Sequence, residues 1–387
     1  MRVNKLKIEG VGGIKSLDLS FNERMNILCG PNGIGKTTLL ESIAHIFSNG
    51  QTDILKRNVA SEISKISAEI DIDGQIENKE IQFDTFIPET STNIIGFFRQ
   101  TSGLISLKTT RTFQYKSLQS VSKDTNKENH TLWNDAINGI NLTDIKNWFV
   151  NRYLYSPHAG ALTAEQVKNF ELSKRCFSLL NKDFSFSKVN ASSNEIMINT
   201  PSGEIYYEYL SSGFKSIISI LFGIIKEIEF RFKDPKINAE DFNGIILIDE
   251  IELHLHPEWQ EKIVDILLEV FPKAQFFAST HSPHVIQTAK PKQIIALGFD
   301  NNNVVQRALP NTTFGFQGWT IEEVLTDVMG MDNIRTKIFN KFISEFDKAI
   351  ENEDSTKAHE IFGHLDDLLH PENTLRKLLK FQLAGLR

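Results

Sequence analysis

Cysteine is nearly absent from this sequence: Cys29 and Cys176 are the two among 387 residues. Two thiols cannot build a disulfide framework, and no cluster of cysteine and histidine has zinc-binding spacing, so a reducing cytoplasm is the expected setting. Positive charge is also short. Lysine and arginine number 42 against 49 aspartate and glutamate, a net charge of -7. The chain therefore has no overall basic field, and any contact with nucleic acid needs a local patch or a basic partner. Long apolar runs are missing too. Met1 to Leu6 lacks the apolar stretch of a signal peptide, and the greasiest segment, Ile217 to Ile225, is about half of a bilayer span, which predicts a soluble protein with no membrane contact. What remains, 40% apolar and 24% charged, can bury the core of one large or two ordinary domains.

Arg2 to Glu9 and Lys15 to Phe21 read as short strands, and Met25 to Cys29 is an apolar run ending at a glycine, as a buried strand should before a turn. A helix is predicted from about Lys36 to Phe47. Ile63 to Ile72 and Ile76 to Phe83 alternate around Asp73-Gly74, which predicts a β-hairpin in a small antiparallel sheet. Signals weaken from Thr101 to Asn199, where polar residues crowd Ser120 to Thr131 before helical patterning returns from Trp133 to Leu180. Beyond it, Gly244 to Ile248 and Gln275 to Ser279 read as strands, alternating with helices from Phe214 to Phe230 and Glu258 to Val270. That alternation predicts a mostly parallel sheet with helices on its faces. After Trp319 the pattern is helical, with Ile334, Ile338, Phe342, Phe346 and Ile350 four apart, a spacing that suits ordinary packing.

Gly30-Pro31-Asn32-Gly33-Ile34-Gly35-Lys36-Thr37 matches the P-loop pattern in full, between a predicted buried strand and a predicted helix. Such a loop folds its backbone N–H groups around phosphates. Asn32, Gly33, Gly35, Thr37 and Thr38 would line the cradle for ATP, Lys36 would reach the β and γ phosphates, and Thr37 would ligate magnesium. Gly244-Ile245-Ile246-Leu247-Ile248-Asp249-Glu250 is an apolar run ending in two carboxylates. It delivers them to the sheet edge where open α/β folds bind ligands, with Asp249 placed to hold magnesium and Glu250 to polarise the attacking water.

Leu210-Ser211-Ser212-Gly213-Phe214-Lys215-Ser216 resembles the signature of ABC-class ATPases in the form used by chromosome-maintenance and DNA-repair members. Asp249 to Pro257 followed by Ser279-Thr280-His281-Ser282-Pro283 is similar to the acidic motif, dimer loop and switch histidine of the OLD-like and RecF-like branch. The resemblance implies an α/β ABC-ATPase head: a mostly parallel P-loop sheet flanked by helices, a small antiparallel β subdomain and an inserted helical subdomain. It further implies that Ser211 and Gly213 bind the γ-phosphate held by another subunit, that the dimer loop with His256 crosses the subunit boundary, and that His281 contacts the γ-phosphate. A lobe-hinge glutamine is expected at Gln100 or Gln114, with Gln114 preferred. The corresponding division is residues 1–100 as the first ATPase lobe, 101–200 as the inserted helical arm, 201–318 as the signature and acidic-motif lobe, and 319–387 as a helical tail.

OLD-type nucleases carry a nuclease domain after the ATPase. The segment from Thr320 to Arg387 shows no convincing set of clustered carboxylates, so no built-in nuclease is expected. Gly318-Trp319-Thr320-Ile321-Glu322-Glu323-Val324-Leu325-Thr326-Asp327-Val328-Met329-Gly330 is similar to the ends of the ATPases of Septu and retron-associated anti-phage defence systems. That resemblance implies a dimeric ATP switch, possessing slow hydrolysis and a separate HNH-type nuclease partner. The competing expectation is a repair or recombination clamp that grips DNA through basic residues such as Lys108, Arg111, Lys116 and Lys123. A transporter motor fits worst, because the Glu252-Leu253-His254-Leu255-His256-Pro257 run and the signature lysine do not resemble transporter domains.

Overall fold

A computed structural model describes residues 1–111, 117–124, 127–310, 313–332 and 334–386. Its centre is a six-stranded sheet in the order Asn303–Gln306, Ile294–Asp300, Met25–Cys29, Gln275–Ser279, Ile245–Ile248, Leu104–Leu107. Five of these strands run parallel, and the edge strand Asn303–Gln306 pairs antiparallel with Ile294–Asp300. The strands Met25–Cys29, Gln275–Ser279, Ile245–Ile248 and Leu104–Leu107 are buried at every residue. Continuous burial is what a parallel sheet covered on both faces requires, and it explains why these segments read as unbroken apolar runs.

Alternate residues of each strand enter different cores. Ile27, Ile105, Ile246, Ile248, Phe276 and Ala278 join one cluster; Leu28, Leu104, Ile245, Leu247 and Phe277 join the other. Helices Ile145–Tyr155, Ala164–Leu180, Ser212–Arg231 and Ile263–Val270 cover the first face around stacked Phe149 and Phe222, whose ring centroids are 5.1 Å apart. The helix Lys36–Ile46 and an antiparallel sheet cover the second.

That antiparallel sheet runs Ile14–Ser20, Arg2–Val11, Ser64–Ile72, Gln75–Phe83. Its hairpin turns at Asp73 and Gly74, both with positive φ, as a two-residue loop between twisted strands needs. Gln275 ties it to the parallel sheet: its side chain accepts from the Val3 N–H at 2.8 Å and donates to the Val3 and Asn22 carbonyls, each at 2.9 Å. The expected parallel P-loop sheet with flanking helices and small antiparallel sheets is thus the fold that forms.

The C-terminal end of the helix Ser212–Arg231 is charged yet buried. Burial alone would raise the Glu227 carboxyl, but Arg231, Lys226 and Lys127 together hold it down at about 2. Arg152 likewise bridges Glu229 at 2.6 Å and Asp124 at 2.7 Å. These pairs fasten Asp124 and Lys127 to the helix layer.

The chain divides into two compact units, Met1–Gly330 and Met331–Arg387. Val324, Val328 and Met329, from the run Gly318 to Gly330, belong to the first core. Among its described residues the second unit has three helices, Lys337–Glu351, Ser355–Leu368 and Thr374–Gly385, around Phe346, Ile361, Leu365 and Leu379. Of the four-residue stripe read from sequence, Phe346 is fully buried, Ile338 is half-exposed and Ile334 precedes the helix, whose N-cap is Thr336. Among the described residues no helix is long and apolar enough to cross a membrane.

His45, fully buried on the P-loop helix, sits 3.1 Å from the Ser48 hydroxyl. Burial, aided by Lys108, pushes its imidazole down to about 3. Folding therefore requires the neutral ring. Its contribution is complete above the unfolded value near 6.5 and is lost as pH falls below it. The wild type should lose about 1 kcal/mol more than His45→Asn between about pH 7.5 and 5.5, checked by denaturant titrations at both pH values.

Candidate functional site

The strand register decides what meets. Leu28 pairs with Ser279, Ala278 with Ile248, and Ile248 with Leu107, so the C-terminal ends of four strands lie along one edge. The P-loop, the acidic motif, the Thr280–Ser282 turn and the Lys108–Arg111 turn all emerge there.

Gly30 has φ 143, and a Cβ there would lie 2.5 Å from the Leu297 carbonyl oxygen, so only glycine permits this approach of loop to strand. Gly35, at φ 103, occupies the N-cap of the helix Lys36–Ile46. Gly33 is also left-handed, and Asn32 and Gly33 are exposed at the loop's tip. Lys36 is buried and donates to the carbonyls of Gly30 at 2.9 Å and Pro31 at 3.0 Å. Burial lowers its ammonium below the ordinary lysine value, opposed by Glu252, Asp249 and Glu250. Thr37 Oγ1 donates to Asp249 Oδ2 at 3.2 Å, while Thr38 lies one residue further into the helix, its carbonyl accepting from Ser42.

Asp249 and Glu250 are organised by Ser279, whose hydroxyl donates to Asp249 Oδ1 at 2.5 Å and accepts the Glu250 N–H at 2.7 Å. Glu250 has φ 49, a left-handed conformation that costs a non-glycine residue about 1–3 kcal/mol. Glu252 joins the acidic motif to the next turn, accepting from Thr280 Oγ1 at 2.7 Å and from the His281 N–H at 2.6 Å. His281 itself is exposed, as is His256.

Ser211 N-caps the helix Ser212–Arg231 by accepting the Phe214 N–H at 3.3 Å, and both Ser211 and Ser212 are exposed. A Cβ on Gly213 would lie 2.8 Å from the Trp259 ring, so the signature glycine permits close packing against the segment that follows the acidic motif. This helix and the P-loop helix cover opposite faces of the parallel sheet. Gln100 falls in the turn Phe98–Gly103, which enters the strand Leu104–Leu107 from the edge opposite the acidic pair. Gln114 and Lys116 lie outside the described residues.

Two basic residues read as a surface patch turn inward instead. Lys108 donates to Glu41 Oε1 at 2.5 Å, and Glu41 is nearly inaccessible on the P-loop helix. Arg111 is buried and donates to the carbonyl oxygens of Asp249, at 2.6 Å, and of Glu250. Burial pulls its guanidinium down to about 10, with Glu252, Asp249 and Glu250 opposing, so it stays charged at neutral pH. Neither Arg111 nor Ser279 was singled out from sequence for this position. The one available signal was that Arg111 follows closely on an apolar strand, as site loops do. Lys123 is exposed.

Burial raises the Glu41 carboxyl, and Lys108 is its chief counterweight. Lys108→Met should therefore cost about 3 kcal/mol near pH 8 and clearly less near pH 5, where the stranded carboxylate escapes by taking a proton. Urea unfolding at the two pH values checks this; an equal cost at both contradicts it.

Residues 25–287 match the family described as "AAA domain, putative AbiEii toxin, Type IV TA system". The chain is 45% identical to the Septu protein PtuA of Bacillus thuringiensis, over 99% of this chain and 98% of that protein. It is 25% identical to the "Retron Ec83 probable ATPase" of Escherichia coli, over 66% of this chain and 48% of that one. Among solved structures it is similar to the SMC head domain from Thermotoga maritima, at 15% identity, with 80% of this chain and 100% of that one covered and a TM-score of 0.47. The chain belongs to the family of the Septu protein PtuA, and it is an ABC-type ATPase.

Proposed function

We propose that this ATPase is a nucleotide-dependent dimeric switch that controls a separate effector, a nuclease of the HNH type, in anti-phage defence. The observation that carries the dimer is the division of the site. The P-loop with Asp249 and Glu250 lies at one edge of the sheet, while the exposed start of the signature helix, Ser211 and Ser212, belongs to a helix on the opposite face from the P-loop helix. A second copy supplies the missing half to each nucleotide. In this reading His256, exposed beyond Glu252, lies along that boundary.

In this reading Lys36 leaves the carbonyls of Gly30 and Pro31 for the β and γ phosphates, and backbone N–H groups from Asn32 to Thr38 cradle them. Glu250 orients the attacking water, and His281 and the partner copy's Ser211–Gly213 turn stabilise the charge on the transferred phosphoryl group. Thr37 Oγ1 and Asp249, 3.2 Å apart, are two hard oxygen donors of the kind magnesium takes and would hold it. Magnesium would neutralise charge between the phosphates. Among the described residues no cluster of three or more His, Cys, Asp or Glu forms a separate metal site. The relatives named for Septu and retron systems support the defence role.

The full chain, purified alone and with the products of its neighbouring genes, tests the proposal. Glu250→Gln should lower turnover on the order of a hundredfold while keeping ATP bound. With ATP, light scattering should then show a doubled mass, and a nuclease should co-purify. If the ATP-loaded chain instead stays partnerless and retains DNA with an affinity that falls steeply with salt, it is a DNA clamp and the effector reading is lost.

A further inference from the structure

Glu250 is held in its left-handed conformation from both sides. Its N–H is bound by Ser279 Oγ at 2.7 Å, and its carbonyl is bound by Arg111. The preceding carbonyl, that of Asp249, is bound by the same guanidinium at 2.6 Å. Two successive carbonyls gripped by one rigid, planar fork fix the two peptide planes on either side of the Glu250 Cα, and so the direction in which its side chain leaves the backbone. The arrangement is costly. Arg111 is buried, and its Nε has no hydrogen-bond partner among the described residues. A buried charge of this kind is poor value as stabilisation, so its retention calls for another role.

The position of Arg111 suits that role. It lies four residues beyond the strand Leu104–Leu107, whose Leu107 pairs with Ile248, directly before the acidic pair. The turn is anchored at its start by Lys108, paired with Glu41 on the P-loop helix. Arg111 also donates to the Lys108 carbonyl at 3.1 Å. One short turn therefore spans from the helix that follows the phosphate cradle to the backbone carrying the carboxylates.

We propose that Arg111 is the positioning residue of the acidic motif: its guanidinium locks the backbone of Asp249 and Glu250 so that the Glu250 carboxylate is aimed at the attacking water. The positive charge also offsets repulsion among Asp249, Glu250 and Glu252. This rests on the reading of Glu250 as the water-orienting group. Arg111 touches neither water nor phosphate in that scheme and acts on the attacking water through Glu250.

The test is steady-state ATP hydrolysis and binding of a fluorescent ATP analogue by the full chain, comparing Arg111→Met, Arg111→Lys, Glu250→Gln and the double variant Arg111→Met with Glu250→Gln. Arg111→Met should lower kcat on the order of a hundredfold with KM and analogue affinity within about threefold, and Arg111→Lys should fall between it and the wild type. The double variant should turn over no more slowly than Glu250→Gln alone, since a mispositioned carboxylate that is already gone costs nothing more. Additive losses in the double variant, or an Arg111→Met kcat near that of the wild type while Glu250→Gln is impaired, overturn the positioning role and leave the proposed function standing. Normal turnover in Glu250→Gln removes the reading beneath both. Should Arg111→Met fail to fold, Arg111→Lys decides: a reduced kcat at unchanged KM supports the role, and an unchanged kcat overturns it.

Discussion

Parallel pairing of Met25–Cys29 with Gln275–Ser279, and of Gln275–Ser279 with Ile245–Ile248, is the constraint on which the site depends. Parallel strands in hydrogen-bonded register must end on the same side, so loops far apart in sequence leave the sheet as neighbours. Thr37 and Asp249 are 212 residues apart yet lie within hydrogen-bond reach. The register in turn depends on burial. Each strand sends alternate side chains into two separate cores, and a slip of one residue would exchange every one of them.

Charge is concentrated where the sheet ends. Asp249, Glu250 and Glu252 face Lys36 and Arg111 across a partly buried space, which sharpens every interaction among them. The carboxylates are tethered as well as neutralised: Asp249 by Thr37 and Ser279, Glu252 by Thr280 and the His281 N–H. Behind them, buried Glu41 of the P-loop helix pairs with Lys108 of the neighbouring turn.

The two ends of the helix Ser212–Arg231 have opposite characters. Its start is exposed and capped by Ser211, leaving polar groups accessible. Its far end is buried among ion pairs to Lys127 and, through Glu229, to Arg152. A helix anchored at one end can present the other with little loss of freedom on binding, which is how a preorganised contact gains affinity.

What the sequence determined by itself was local. The P-loop, the Asp73-Gly74 hairpin and the apolar strand ending in Asp249-Glu250 are each specified by neighbours along the chain, through backbone conformation and alternation, and each was legible before any coordinates. Arg111 was not. Its sequence neighbours do not distinguish a solvated arginine from one buried against two carbonyls, and Lys108 looked equally ordinary before Glu41 was found beside it. The stripe from Ile334 to Ile350 was legible in part: Phe342, Phe346 and Ile350 pack in the helical core, but periodicity locates an apolar face and not where the helix begins. Tertiary structure alone decided these points, because burial and ion pairing are properties of the packed sheet edge and not of any segment that contributes to it.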